Sequence, residues 1–267
     1  MKIGFIGAGA MGGAMIRGVL DRGLSSPAEI SLTDISAARL DELRTAYGIK
    51  TNEDYQPALE GADAVVLAVK PQNLADVMPQ LKDRFAKNQL VISIIAGARI
   101  ATIADGIGHR PVVRAMPNTP AQVGAGITVW TASNEVSQRQ KGIASSILGA
   151  LGKEIYVPDE GYIDMATAVS GSGPAYVFAL MEALAAAAVD IGLPREMAQE
   201  LVLETVLGAA RLARDTGTPP KELRERVTSP GGTTAAGLQK LYDGDMEAMI
   251  ASAVSAAYQR AKELGGS

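Results

Sequence analysis

The chain has 267 residues, 47% of them hydrophobic and 20% charged, with a formal net charge of −4. This is the balance of a globular protein large enough for two domains with substantial cores, and it supplies no basic footprint for nucleic acid. With no cysteine and one histidine, His109, disulfides, thiolate zinc sites and cysteine nucleophiles are excluded, and triads or multi-histidine metal sites have little to draw on.

Ile3, Phe5 and Ile6 form a short apolar run suited to a buried parallel strand. It leads into Gly7-Ala8-Gly9-Ala10-Met11-Gly12, which fits G-x-G-x-x-G, and an amphipathic stretch from Ala10 to Arg22 follows. Gly7 lets the chain turn tightly, Gly9 has no side chain to hold the backbone off a pyrophosphate, and Gly12 lets the new helix lie close to the strand. The first amides of that helix are unpaired donors at the positive end of its dipole, so a dinucleotide diphosphate is the expected ligand. The glycines and the strand-turn-helix pattern distinguish this apolar start from a secretion signal, and a soluble, cytoplasmic protein is expected.

From Ala28 to Val157, strand-like and helix-like stretches alternate, which predicts a mostly parallel sheet covered by helices. Strands are expected at Glu29 to Thr33, near Ile49, at Ala64 to Val69, Leu90 to Ile95, Pro111 to Ala115, Gly126 to Thr131 and Lys153 to Val157. Helices are expected at Ala37 to Tyr47, capped by Ser36 and stopped by Gly48, then up to Gly61, from Gln72 to Ala86, and from Ser137 to Leu151. His109 falls in a polar, Gly-flanked stretch and reads as a surface residue.

Pro158-Asp159-Glu160-Gly161 marks the expected boundary, giving a dinucleotide-binding domain over 1–158 and an all-helical domain over 159–267. The second half is Ala-, Leu- and Glu-rich with helical periodicity and no convincing strand. Helices are expected at Pro174 to Ile191, Arg195 to Asp215, Pro220 to Val227, Thr234 to Tyr242 and Met246 to Leu264. The uncharged run Met165 to Met181 is interrupted by Ser170-Gly171-Ser172-Gly173-Pro174, a small flexible turn, and is not expected to span a membrane. The alanine stripe from Ala183 to Ala188 suits either an intramolecular bundle or packing against another subunit.

In an open parallel sheet, ligands lie outside the carboxyl ends of the strands. That rule selects Gly7 to Gly12, Asp34, Ala68-Val69-Lys70-Pro71, Ile95-Ala96-Gly97 and Met116-Pro117-Asn118-Thr119-Pro120. Asp34 stands about twenty residues beyond the glycine motif, the spacing of a carboxylate that binds the adenosine ribose hydroxyls. Such a carboxylate repels a 2′-phosphate and favours NADH, unless Arg39 turns back to compensate; Asp34 also suits a simple helix cap. Lys70 reads equally as a fixed positive charge near the ligand or as the solvated end of a strand. In the second half, Ser229-Pro230-Gly231-Gly232-Thr233-Thr234 opens a helix. Its backbone N–H groups suit a carboxylate, and the same pattern suits a plain helix start.

Taken together, five stretches resemble pyrroline-5-carboxylate reductases over nearly the whole chain: I-G-F-I-G-A-G-A-M-G at Ile3, A-V-K-P at Ala68, A-M-P-N-T-P at Ala115, A-V-S-G-S-G-P-A-Y at Ala168 and S-P-G-G-T-T at Ser229. The resemblance implies an α/β Rossmann-type N-terminal domain followed by an all-α C-terminal dimerisation domain that interleaves with a partner, completes the active site across a homodimer and often assembles further. It implies reduction of a cyclic imino acid, 1-pyrroline-5-carboxylate, to L-proline, the last step of proline biosynthesis, with NADPH or NADH as hydride donor. Dinucleotide contacts then fall on Ile6, Gly7, Ala8, Gly9, Ala10, Met11, Gly12, Ala68, Val69, Lys70, Pro71, Ala96 and Gly97, with Asp34 at the ribose. Substrate contacts fall on Ser229, Gly231, Gly232, Thr233, Thr234 and Asn118, with the Thr234 hydroxyl at the ring nitrogen. Many relatives carry a neutral residue in place of Asp34, so the cofactor preference stays open. A β-hydroxyacid dehydrogenase would need a lysine where Val177 stands, and a non-catalytic dinucleotide-binding regulator would have no use for S-P-G-G-T-T.

Overall fold

The computed structural model describes residues 1–266 and divides into two compact units: Met1–Ser172 with the chain from Ala257 onward, and Gly173–Ala256. In the first unit β1 (Ile3–Ile6), α1 (Ala10–Asp21), β2 (Ile30–Thr33), α2 (Ala37–Tyr47), β3 (Lys50–Asn52), α3 (Gln56–Leu59), β4 (Ala64–Leu67), α4 (Leu74–Leu81), β5 (Leu90–Ser93), α5 (Ile100–Ile107) and β6 (Val112–Met116) alternate along the chain. The chain then reverses into β7 (Gly126–Ala132), antiparallel to β6, and α6 (Gln138–Gly149) returns it to β8 (Gly152–Tyr156), parallel to β7.

The sheet runs β3-β2-β1-β4-β5-β6-β7-β8, every pair parallel except β6 with β7. β1, β2, β4 and β5 are buried at every residue, as strands covered on both faces must be. Side-chain alternation sends Ile3 and Phe5 to one core, with Ile16 and Leu32, and Ile6 to the other, with Val65 and Ile103. Because β1 lies between β2 and β4, the chain order switches direction there and a crevice opens at the carboxyl ends of these strands.

Local signals placed several helix ends correctly. Ser36 accepts the Arg39 N–H at 3.3 Å to cap α2, and Gly48, with φ 67°, ends it. Ser137, expected as the first residue of its helix, is instead the N-cap of α6 and forms a reciprocal capping box with Gln140. α4 stops at Leu81, short of the expected Ala86. Asp83 has φ 59° and its N–H bonds the Ile107 carbonyl at 2.9 Å, which turns the chain away. α5 was not anticipated. It carries no capping side chain of its own, and Glu160 accepts the Ile100 N–H at 2.9 Å.

His109, expected at the surface, is 6% exposed and stacks on Phe85 with ring centroids 5.1 Å apart. Its Nε2 lies 2.8 Å from the Gln89 carbonyl oxygen, which can only accept, so Nε2 carries the proton. Burial pushes the imidazole below its ordinary pKa, partly opposed by that hydrogen bond.

The segment from Ser170, expected as a flexible turn, is helical. α7 (Gly161–Ala166) passes into a π turn over Thr167–Gly171, with the Ser172 N–H on the Thr167 carbonyl at 2.8 Å. α7 also groups with the first unit, beyond the expected boundary near Pro158. Two contacts hold it there: Ile163 is buried at 1% exposure, and Arg114 on β6, 2% exposed, pairs with Asp164 at 2.6 Å and with Glu160, just before α7, at 3.0 Å.

The second unit contains only helices: α8 (Gly173–Asp190), α9 (Arg195–Thr216), α10 (Pro220–Arg226), α11 (Thr233–Asp243) and the first part of α12 (Met246–Leu264). α8 packs along α9, yet none of its residues is buried, and Phe178, Leu201 and Leu207 are each more than half exposed. Among the described residues, nothing buries these faces.

Candidate active site

At the switch point of the sheet lies a cavity of about 550 Å³, lined by Ile6, Gly7, Ala8 and Gly9 after β1, Asp34 after β2, and Ala68, Val69 and Lys70 after β4. The strand-end rule therefore gathers these expected residues around one space. Ala10 and Met11 form the first turn of α1 without lining it, and Gly12 packs behind it. Thr33, Ile35, Tyr55 and Asn73 line it as well and were missed. Tyr55 follows β3, so the same rule, applied to that short strand, would have found it.

The three motif glycines have separable reasons. Gly7 has φ +106°, and a Cβ there would lie 2.5 Å from the Ala68 carbonyl oxygen; a Cβ on Gly12 would lie 2.4 Å from the Gly7 carbonyl oxygen. Both are required by the packing of strand, turn and helix. A Cβ on Gly9 would meet nothing within 4 Å, so the fold leaves open the space in front of it. Gly9 is the N-cap of α1, with no side chain capping the helix and no acidic residue in its first turn. An open cavity facing uncapped helix amides fits a dinucleotide diphosphate.

Around this turn the charged side chains are fixed by the backbone of Ala8. The Asp34 carboxylate accepts the Ala8 N–H at 2.6 Å and the Ser36 N–H at 2.8 Å, so it braces the start of α2 while facing the cavity. The Arg39 Nε donates to the Ala8 carbonyl at 2.7 Å, and its guanidinium pairs with Glu42 at 2.5 Å. Burial, then the Asp34 charge, raises the Tyr55 pKa, and its phenol, like that of any tyrosine at neutral pH, is a hydrogen-bond donor. Lys70 is exposed at the rim, and Ile35, 89% exposed, offers an apolar surface at the mouth.

Pro71, Ala96 and Gly97 line a further cavity of about 300 Å³, shared with Leu264, Gly265 and Gly266. Asn118 begins the turn after β6, and its Oδ1 accepts the Ile127 N–H at 2.9 Å, so the acceptor end of its side chain holds the turn to β7. In the second unit, Gly231 has φ 72° and Gly232 is the N-cap of α11 with no side-chain cap. Thr233 and Thr234 are its first two residues, and the Gly232 N–H donates to the Ser229 carbonyl at 3.1 Å, so the S-P-G-G-T-T loop forms a helix start, a geometry common to an anion-binding turn and to a plain helix beginning.

Residues 2–97 match the family model described as NADP oxidoreductase, coenzyme F420-dependent, and residues 160–264 match pyrroline-5-carboxylate reductase dimerisation. A pyrroline-5-carboxylate reductase of Synechocystis is 42% identical over 99% of this chain and 98% of its own, and one of Arabidopsis thaliana is 38% identical over 100% and 96%. Among solved structures, that of a pyrroline-5-carboxylate reductase from Coxiella burnetii aligns with a TM-score of 0.91 at 42% identity, covering 98% of both chains. The Plasmodium falciparum pyrroline carboxylate reductase with NADP bound aligns at 0.89 and 30% identity, covering 99% of this chain and 98% of that one. Identity at this level, sustained from end to end of both partners, makes the chain a member of the pyrroline-5-carboxylate reductase family.

Proposed function

We propose that this protein reduces 1-pyrroline-5-carboxylate to L-proline, taking hydride from NADH or NADPH, in the last step of proline biosynthesis. The observation that carries the reading is the cavity at the uncapped start of α1, bounded by Asp34 on one side and Lys70 on the other. When bound, the reduced nicotinamide supplies the hydride. One proton must also reach the ring nitrogen of the imine, and a protonated imine is a strong hydride acceptor. The site is therefore asked for orientation and polarisation more than for a strong acid or base, in keeping with a chain that has no cysteine and a buried, structural histidine.

The turn from Ser229 through Gly231 and Gly232 to Thr233 holds the substrate carboxylate through its unpaired backbone amides, the Gly232 N–H being engaged by the Ser229 carbonyl at 3.1 Å, and the Thr234 hydroxyl hydrogen-bonds the ring nitrogen. The dinucleotide lies over Ile6–Gly12, with the adenosine ribose at Asp34 and further contacts from Ala68–Pro71, Ala96 and Gly97. Asn118 adds a donor on the substrate side. Two copies interleave their helical regions so that the loop at Ser229 serves a shared site; the uncovered apolar residues of α8 and α9 support this arrangement. A cytoplasmic location is proposed with it, as befits a soluble biosynthetic enzyme.

The direct test follows oxidation of NADH and of NADPH with 1-pyrroline-5-carboxylate and with a panel of keto acids. Turnover restricted to the keto acids would overturn the proposal. Thr234→Val is expected to lower turnover about ten- to a hundredfold, the worth of one lost hydrogen bond of about 1–3 kcal/mol, with cofactor affinity nearly intact. Unchanged turnover would remove Thr234 from the mechanism.

A further inference from the structure

The Ala96–Gly97 turn after β5 is braced by residues far from it in sequence. Gly97 has φ +75°, and a Cβ there would lie 2.7 Å from the Leu264 carbonyl oxygen, so the backbone at the end of α12 rests directly on the turn. A Cβ on Gly265 would lie 3.4 Å from the Arg99 Nε and 3.5 Å from the Gly97 carbonyl oxygen. From another direction comes Glu160. One of its carboxylate oxygens accepts both the Ile100 N–H at 2.9 Å and the buried Arg114 guanidinium at 3.0 Å. Asp164, 3% exposed, joins the same Arg114 at 2.6 Å and Arg99 at 3.5 Å. Glu160 and Leu264 stand at the two ends of the stretch that matches the dimerisation family. Both ends of that stretch converge on residues 97–100.

The position of this turn gives the convergence a consequence. Along the sheet β2, β1, β4 and β5 are consecutive neighbours. A dinucleotide with its ribose at Asp34 and its diphosphate at Gly9 therefore brings its nicotinamide half to the ends of β4 and β5. We propose that Glu160 and Leu264 are positioning residues that hold the Ala96–Gly97 turn in place for the nicotinamide half of the cofactor without touching it. The proposal rests on the assignment of Ala96 and Gly97 to the cofactor made above.

α5 has no capping side chain of its own, so Glu160 supplies the acceptor for its first amide and links that amide to a charge buried in the sheet. Removing that acceptor leaves an unpaired amide and an undercompensated Arg114, and the turn between β5 and α5 is the segment free to relax. A merely structural residue would lower stability and leave the affinity of the folded protein for the cofactor alone.

The test uses the full-length protein and titration calorimetry with NADH and NADPH. Glu160→Ala is expected to weaken cofactor binding about tenfold, equivalent to about 1.4 kcal/mol, and to raise the cofactor KM in parallel. Its kcat at saturating cofactor should stay within about twofold of the original. Glu160→Gln, which keeps an oxygen for the Ile100 N–H, should recover binding to within about threefold. A chain ending at Glu263 should show the same split between KM and kcat, and it carries the test if Glu160→Ala does not fold. Folded variants that bind cofactor as the original does, or that lose kcat with affinity unchanged, would overturn the proposal. An unsubstituted protein that bound neither nucleotide would instead sink the cofactor assignment beneath it.

Discussion

Gly9 and Gly12 stand three residues apart in one motif, and the structure assigns them opposite sensitivities. A methyl on Gly12 would sit 2.4 Å from the Gly7 carbonyl oxygen, where ordinary contact begins at 3.4 Å. The turn and α1 would have to separate by about 1 Å, an overpacking strain worth about 1–3 kcal/mol. Gly9 has φ −59° and ψ −179°, which alanine adopts freely, and its methyl would project into open space. Reduced freedom of the unfolded chain favours Gly9→Ala by about 0.4–1 kcal/mol, while alanine is the poorer N-cap, so stability should change by less than about 1 kcal/mol. Its cost falls on the ligand, because the diphosphate must approach where the methyl now stands. A loss of about ten- to a hundredfold in cofactor affinity, about 1.4–2.8 kcal/mol, is expected. Thermal melting at matched protein concentration, paired with calorimetric titration of NADPH and NADH, separates the two effects. Gly9→Ala with undiminished affinity, or with the same loss of stability as Gly12→Ala, would refute the reasoning.

Asp34→Ser should raise the preference for NADPH over NADH about tenfold by removing one charge beside the ribose; an unaltered ratio of dissociation constants would show that Asp34 only braces Ala8 and Ser36. His109 is held neutral by burial, so its folded pKa lies below that of the unfolded chain. As pH falls below about 6.5 the unfolded state binds the proton first, and stability that is complete at higher pH declines, by at most about 1.4 kcal/mol per pH unit, until the folded pKa is passed. Urea unfolding at pH 7 and pH 5.5 should show this decline reduced in His109→Gln, and parallel declines in the two proteins would discard the account. Phe178→Asp, placed on the uncovered face of α8, should shift sedimentation toward monomer; an unchanged dimer would place the interface elsewhere.

What the sequence revealed depended on how local each cause was. Strands β1, β4 and β5, the cap at Ser36, the stop at Gly48 and the bounds of α12 follow from periodicity and neighbours a few residues away, and the structure agrees with them closely. His109 reads as exposed because the residues that bury it, Phe85 and Gln89, lie some twenty positions earlier, while its own neighbours are Gly108 and Arg110. α5 was missed for a similar reason, since its cap comes from Glu160. The same holds for α7. Nothing near Asp164 in sequence announces that it neutralises an arginine buried in β6. In the cavity, the glycine turn, Asp34 and Lys70 were legible because strand ends can be read from apolar runs. Tyr55 lies beyond β3, a short polar strand expected near Ile49 whose carboxyl end is not marked by an apolar run.

The apolar character of Gly161–Asp190 admits two physical explanations, and the surrounding charges choose between them. This helical stretch of 30 residues contains an 18-residue window with a mean hydropathy of 1.4, long and apolar enough to cross a bilayer. Its first turns, however, hold Asp164 in ion pairs with Arg99 and Arg114, which fixes that end against a sheet. α9, the neighbour of α8, exposes Leu201 and Leu207 yet also carries Glu196, Glu200, Glu204, Arg211 and Arg214. A bilayer around α8 would have to accept those charges at several kcal/mol each, whereas a second protein surface can cover the leucines and leave the charges in water. The alanines from Ala183 to Ala188 add close approach between helices, which a lipid neighbour does not require. Burial of this face against a second copy of the chain would account for the apolarity and the charges together, and it would make the stability of the helical region depend on protein concentration.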